Sequence, residues 1–337
     1  MDEDRAEQVV IGRALSLAVA LTIGLYLGGA MFPIVGALVG MAAIAPGVYL
    51  RFQTSLWWPV TAMVLIVVAL LFLFFRTPSP VAVYFFEFGL SSLVVDELLR
   101  RRRVGTELFF GAAGITTLLL IILLCAVSQS RGVSPMVLTE QFLKANIGAV
   151  MSLYENAGID PAQLQSLREA AEGVAVWAGT VFPTLLYVAF FGIQSLGFGA
   201  ALFFYRRRRG EAPALVQDAV PFSHLQLPSF LVWGLIVSLA GEMFFAPSGV
   251  LHILLLNSAG ILLFAYLIQG LAIIQFAFEA FAVGRVQRFF FFFFFIAFQF
   301  LFILPVLLGI FDIWFDFRRR IVRRQRALEN PWKDRKD

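Results

Sequence analysis

A glutamate set in the middle of an apolar run is the residue best placed to do chemistry. Glu87 lies in VAVYFFEFGLSSLVV, with Tyr84 three residues before it and Ser91 four after, a spacing that gathers all three on one helix face. An ionisable group at bilayer depth costs roughly 2.5 to 3.5 kcal/mol on insertion scales, so one that persists faces a partner or a cavity. Glu87 in this setting suits a cation, a proton or a substrate amine, and equally a protonated carboxyl hydrogen-bonded between helices. A second polar line runs through His252, Asn257, Ser258, Gln269, Gln275 and Glu279. Asn257 and Ser258 are its deeper members and offer hydrogen bonds to a ligand; bonding between helices is their plainer role. Glu242 and His252 flank a short outer turn, where water can solvate them.

Asp312 and Asp316, four residues apart, stack on one helix face, with Arg319 and Arg320 one turn further on. Pairing with these arginines or with another helix end, while Trp314 anchors at the headgroups, is the structural reading. A paired-carboxylate metal or acid/base site is the second, and it lacks a histidine or third carboxylate nearby in sequence. The chain has no phosphate-cradling Gly-rich lysine loop, no HExxH, and two histidines, His224 and His252. Cys125 is the one cysteine, which excludes a disulfide or thiolate metal site within one chain and reads as a buried small hydrophobe. The expectation is no catalytic residue, no metal and no cofactor: a protein that is not an enzyme, with any ATP hydrolysis supplied by a partner.

The elements that must position these residues are written in lipid-compatible side chains. Of 337 residues 60% are hydrophobic and 14% charged, far from the roughly 25% charged of soluble domains. A hydrocarbon core about 30 Å thick asks for roughly 20 apolar residues per helix. Runs of that kind predict an all-α, polytopic transmembrane bundle of about eight or nine spans, near 13–31, 34–50, 56–75, 80–95, 108–127, 174–205, 228–245, 250–283 and 289–314. Pro183 is expected to kink the sixth. Ala14, Ala18, Gly24, Gly28, Gly36 and Gly40 recur at four-residue spacing and predict close helix packing. The seven phenylalanines at 289–295 read as a lipid-facing or bundle-filling helix rather than an aromatic ligand cage. The acid-bearing stretch 131–172 is extramembrane, with Val137, Leu138, Phe142, Ile147, Val150, Met151 and Tyr154 at amphipathic spacing, a turn at Gly158, and Asp160-Pro161 as a helix start. The resulting divisions are 1–128, an N-terminal five-helix membrane region; 129–173, an extracytoplasmic helical segment; 174–317, C-terminal membrane helices; and 318–337, a basic cytoplasmic tail.

The formal charge of +4 follows arginine runs at helix ends, which excludes a soluble basic face and hence a nucleic-acid partner. By the positive-inside tendency 100–103, 206–209, Arg285 with Arg288, and 318–326 are cytoplasmic, and four spans before Arg100 put the N-terminus inside too. The acidic opening MDEDRAEQ is unlike a secretory signal, so the first apolar run stays as an anchor. One crossing from Arg288 to Arg318 would place the basic tail outside. A turn near Pro305, a partial extra crossing by the long eighth region, or an exception to the rule resolves this, and a cytoplasmic tail is expected.

LGIFDIWFDFRRR at 308–320, with Asp312, Trp314, Asp316 and Arg318, resembles the C-terminal signature of the YybS-like family of bacterial membrane proteins. The stretch YENAGIDPAQLQSLREAAE at 154–172 and LIQGLAII at 267–274 share the likeness. In helical organisation the chain is more distantly similar to S components of energy-coupling-factor transporters, whose first helix carries AxxxA where a coupling subunit docks; Ala14 and Ala18 match that spacing. The preferred reading is an inner-membrane, multi-pass protein that recognises a small molecule or lipid and acts with other membrane subunits in transport, in the manner of an S component, and the polar residues read above, Glu87, Tyr84, Ser91, Asn257 and Ser258, are its expected binding set. The alternative is a scaffold for an envelope, motility or division complex.

Overall fold

Residues 2–31, 39–102, 104–105, 107–156, 160–217, 219–244 and 249–329 are described in a computed structural model of the chain. Every regular element among them is helical, and they divide into two compact units, Met1–Ala219 and Val220–Asp337. Among the described residues five helical stretches are long and apolar enough to cross a bilayer: Val9–Gly29, Trp58–Phe75, Leu108–Arg131, Phe182–Arg209 and Val250–Ala280.

In the first unit α1 (Asp2–Met31) packs on α2 (Ala45–Gln53) and α3 (Trp58–Phe75). A helix of three parts follows: α4 (Pro78–Tyr84), a π-helical turn (Phe85–Gly89) and α5 (Leu90–Arg100). A second π turn (Glu107–Gly111) leads into α6 (Ala112–Arg131); α7 (Pro135–Asn156) and α8 (Pro161–Thr180) form a hairpin, and α9 (Phe182–Arg209) packs on α2 and α6. Widening a helix to π spacing frees a backbone carbonyl from its regular partner. Each π turn here finds a side-chain hydroxyl instead: Ser91 Oγ donates to the Glu87 carbonyl at 3.0 Å, and Tyr187 Oη to the Phe110 carbonyl at 3.4 Å.

Several expectations need correction. Pro183 does not kink a helix; α8 runs through to Thr180, beyond the expected boundary at 173, and Pro183 occupies the first turn of α9, where its missing N–H has no intrahelical acceptor to lose. Asp160 holds the N-cap position of α8 without a side-chain cap bond. Gly24 and Gly28 approach none of the described residues, since a Cβ built on either meets nothing of them within 4 Å. Close packing falls instead on buried Ala18 and on Gly40, whose added Cβ would lie 3.6 Å from Gly29 Cα, while Ala14 is half-buried. Gly36 and Gly158 lie outside the described residues. Cys125 is exposed, on the same outward side of α6 as Leu118 and Ile122, a face written for acyl chains rather than for a core.

In the second unit α10 (Leu231–Phe244) packs along α11 (Val250–Ala280). The expected last span is two helices, α12 (Arg285–Ala297) and α13 (Ile303–Phe315), separated by a 3-10 turn at Gln299–Phe302. The break precedes Pro305, which sits inside the first turn of α13. Most of the phenylalanine run on α12 is exposed, as a lipid-facing helix requires, while Phe291 and Phe292 stack edge-on against Phe278 of α11. Asp316 takes left-handed φ of 44°, ending α13 and starting α14 (Phe317–Glu329). That break separates Asp312 and Asp316, so they do not share the helix face that their spacing predicts.

The crossing of α11 and α13 is built on two glycines. A Cβ on Gly270 would stand 1.8 Å from the Pro305 carbonyl oxygen, and one on Gly309 2.1 Å from that of Tyr266. Both obstacles are backbone, so neither gives way by a rotamer change. Gly270→Ala is therefore expected to destabilise the protein by about 1–3 kcal/mol or more through overpacking. Gly192→Ala, with open space around the added methyl, is expected to be neutral or slightly stabilising. Thermal unfolding of both variants in detergent checks the contrast.

Candidate functional site

The first unit carries a polar track through an apolar interior. It starts where Tyr26 Oη donates to the Pro80 carbonyl at 2.8 Å and its ring meets Tyr84 edge-on, 5.4 Å between centroids. Tyr84 is fully buried, and its hydroxyl has no hydrogen-bond partner among the described residues. Glu87 follows on the π turn, half-buried, and no described side chain donates to its carboxylate. The π geometry turns Ser91 inward, with Phe88 and Gly89, and leaves Glu87 at the flank.

From Ser91 the track crosses to two other helices. Gln194, 1% exposed near the middle of α9, donates through Nε2 to Thr116 Oγ1 on α6 at 3.0 Å and lies 3.4 Å from Ser91 Oγ. Its Oε1 is buried without a partner among the described residues, as are Thr117 Oγ1 and Ser195 Oγ on either side. A buried polar atom left unpaired costs about 1–3 kcal/mol, and these three, on Gln194, on the next residue along α9 and on the residue after its partner Thr116, leave this level of α6 and α9 an unfinished polar patch.

At one end of the same unit Arg51 on α2 and Asp96 on α5 form a buried bidentate ion pair. Arg51 is 2% and Asp96 7% exposed; Arg51 Nη2 donates to Oδ2 at 2.9 Å, and Nη1 reaches the Thr54 carbonyl at 3.3 Å. The next residue, exposed Glu97, is held below the usual carboxylate range by hydrogen bonds from Arg101 and Arg100. The pair ties the C-terminal ends of two helices at one level, as Tyr26 and Pro80 tie opposite ends of theirs.

The second unit holds a different arrangement. Gln269 on α11, also 1% exposed, accepts from the Leu227 N–H at 2.9 Å and donates to the Gly309 carbonyl at 3.0 Å. Asp312 lies beside it, accepting from the Phe317 N–H at 2.9 Å and from Arg318 Nη1 at 2.8 Å. Arg318 then donates to the carbonyls of Ser223 at 3.1 Å and Leu225 at 2.7 Å. LIQGLAII and LGIFDIWFDFRRR are thus two sides of one contact, and its polar set is closed on itself. Asp316 pairs with Arg319 and Trp314 is exposed.

Of the expected binding residues, Tyr84, Glu87 and Ser91 belong to the track in the first unit. In the second, Asn257 Nδ2 donates within its own helix to the Ile253 carbonyl at 2.8 Å, and Ser258 is exposed. Glu242 and His252 pair at 2.8 Å and are mostly buried, rather than solvated. Sequence reasoning passed over Thr116, Gln194, Arg51 and Asp96. Gln194 is a lone amide in FFGIQSLGFG and could have been found by the same test that found Glu87. Among the described residues no three acidic, histidine or cysteine side chains gather as a metal site. Grooves open to the surface among the described residues include one of about 280 Å³ beside α11, α13 and α14 and one of about 480 Å³ at Gly199, Leu202, Phe203, Arg206 and Arg207.

Residues 20–313 match the model of a predicted membrane protein family, DUF2232. No curated protein and no solved structure matches the chain.

The Arg51–Asp96 pair generates a test. Removing one partner strands a buried charge, so Arg51→Met and Asp96→Leu are each expected to cost about 3–5 kcal/mol. The double variant, which replaces the pair by apolar groups, is expected to recover most of that loss. Melting of the four proteins in one detergent gives the coupling.

Proposed function

We propose, from the premise that this chain belongs to the DUF2232 family of predicted membrane proteins, that its first unit holds a small polar guest and acts with partner subunits in transport. The observation that carries this is the unfinished polar patch: Gln194 Oε1, Thr117 Oγ1 and Ser195 Oγ, with Tyr84 Oη further along the track, are desolvated acceptors and donors that a guest would complete. The π turn under Glu87 supports it, since such turns are frequent at functional sites. Glu87 supplies the charge and Ser91 the link to Gln194. The role is non-enzymatic, in the manner of an S component, and within the family the chain stands with the YybS-like proteins on segments 154–172, 267–274 and 308–320.

The reading places the chain in a bacterial inner membrane with eight or nine crossings and both termini cytoplasmic. The Arg51–Asp96 and Tyr26–Pro80 contacts support the alternation of its first four spans, because each joins ends that the scheme puts on one side. A scaffold is the second reading, favoured by one observation: the small-residue face at Gly24 and Gly28 is open among the described residues.

Mass spectrometry of extracts from protein purified out of native membranes tests the first reading. A small polar molecule is expected near one per chain, and Glu87→Gln and Gln194→Leu are each expected to lower its retention at least tenfold. If Gln194→Leu raises the melting temperature and nothing is lost from the extract, the patch is an internal imperfection and the reading fails.

A further inference from the structure

We propose that the groove beside α14 is a binding site for one anionic phospholipid, its phosphate held by Arg320 and Arg324 and an acyl chain lying against α11 and α13. This site is independent of the polar track in the first unit. Its walls are apolar, from Ile273, Ile274 and Ala277 of α11 and Leu308 of α13, and its rim is cationic, from Arg320 and Arg324. The two arginines are four residues apart, so they stand on one face of α14 about 6 Å apart along the axis. Their guanidinium forks suit a phosphodiester. Acids already engage the neighbouring arginines: Asp312 takes Arg318 and Asp316 takes Arg319. No carboxylate lies within ion-pair distance of Arg320 or Arg324 among the described residues, which leaves their charge for an outside anion.

Position argues for a lipid over a soluble anion. Val250–Ala280 is long and apolar enough to cross a bilayer, and the groove lies along its last turns, where hydrocarbon gives way to headgroups. A free phosphate would satisfy the arginines and make no use of the apolar walls. An acylated one satisfies both. The site is also held ready, because Arg318 is fastened to Asp312 and to two backbone carbonyls at the start of α14, and Arg320 rests on the Phe315 ring, 5.1 Å from its centroid.

Native mass spectrometry of the full chain in detergent, titrated with dioleoyl phosphatidylglycerol, dioleoyl phosphatidylcholine or glycerol 3-phosphate, tests the proposal. Phosphatidylglycerol is expected to be retained at least tenfold over phosphatidylcholine and to resist excess glycerol 3-phosphate. With about 1 kcal/mol per basic residue near the surface, R324Q is expected to weaken retention roughly fivefold and R320Q/R324Q about thirtyfold. Ala277→Phe, which fills the groove and keeps both arginines, is expected to weaken it as well, with melting of each variant checked against the parent. Equal retention of the two lipids, displacement by glycerol 3-phosphate, or unchanged phosphatidylglycerol binding in folded R324Q or Ala277→Phe protein would overturn the site.

Discussion

Hydrocarbon offers a polar group no water to fall back on, and the arrangement of both units follows from that constraint. Each polar side chain on an apolar helix must reach an end, find a partner within the chain, or remain desolvated and unpaired. All three outcomes occur. Arg51 and Asp96 sit at helix ends and meet there; Gln269, Asp312 and Arg318 form a closed set; Gln194, Thr117 and Ser195 keep unpaired atoms at mid-depth. The apolar runs decide where helices can stand, whereas these few residues decide which helices stand together.

The closed set in the second unit depends on backbone approach. The Gln269 amide can donate to the Gly309 carbonyl only because Gly270 and Gly309 carry no Cβ and let α11 and α13 touch main chain to main chain. Proximity in turn lowers the local dielectric, which strengthens the Asp312–Arg318 pair and raises the cost of leaving any member out. Asp316 serves the same contact from outside it. Its left-handed conformation, tolerated by Asp better than by most residues, turns the chain so that Arg318 points back at Asp312 instead of continuing along the helix.

Helix existence was legible in the sequence because it rests on length and hydropathy, which are local. The helices at 58–75 and 112–131 lie close to where apolar runs put them. What escaped was decided by register and by distant partners. The π turn at 85–89 has no periodic mark, yet it moves Glu87 to a flank and Ser91 into the interior, so three residues expected on one face are divided. Gly24 and Gly28 have the right spacing for packing, but spacing says nothing about whether a helix stands opposite. The Asp312–Asp316 pair was read as one continuous helix because nothing local to it except the following arginines marks a break. Gln194 was legible in kind and missed in practice; Arg51 and Asp96, 45 residues apart, were not legible as a pair.

The contrast between the units also bears on what each can do. A polar set that is complete resists change, since any rearrangement must break several bonds at once in a medium that supplies no replacement. A set with atoms to spare can exchange partners at little cost: Gln194 already shares its amide between Thr116 and Ser91, and Ser91 already gives its own proton to the Glu87 carbonyl freed by the π turn. Movement at any one of these residues is therefore felt by three helices and by the wound state of the turn that carries Glu87. The Gln269–Asp312–Arg318 set has no such slack and fastens the start of α14, although the Tyr266 hydroxyl, one turn away on α11, is also buried without a partner among the described residues. Adaptability at the Gln194 set and fixity at the Gln269–Asp312–Arg318 set thus come from one source, the hydrogen bonds each leaves unmade in a solvent that cannot make them.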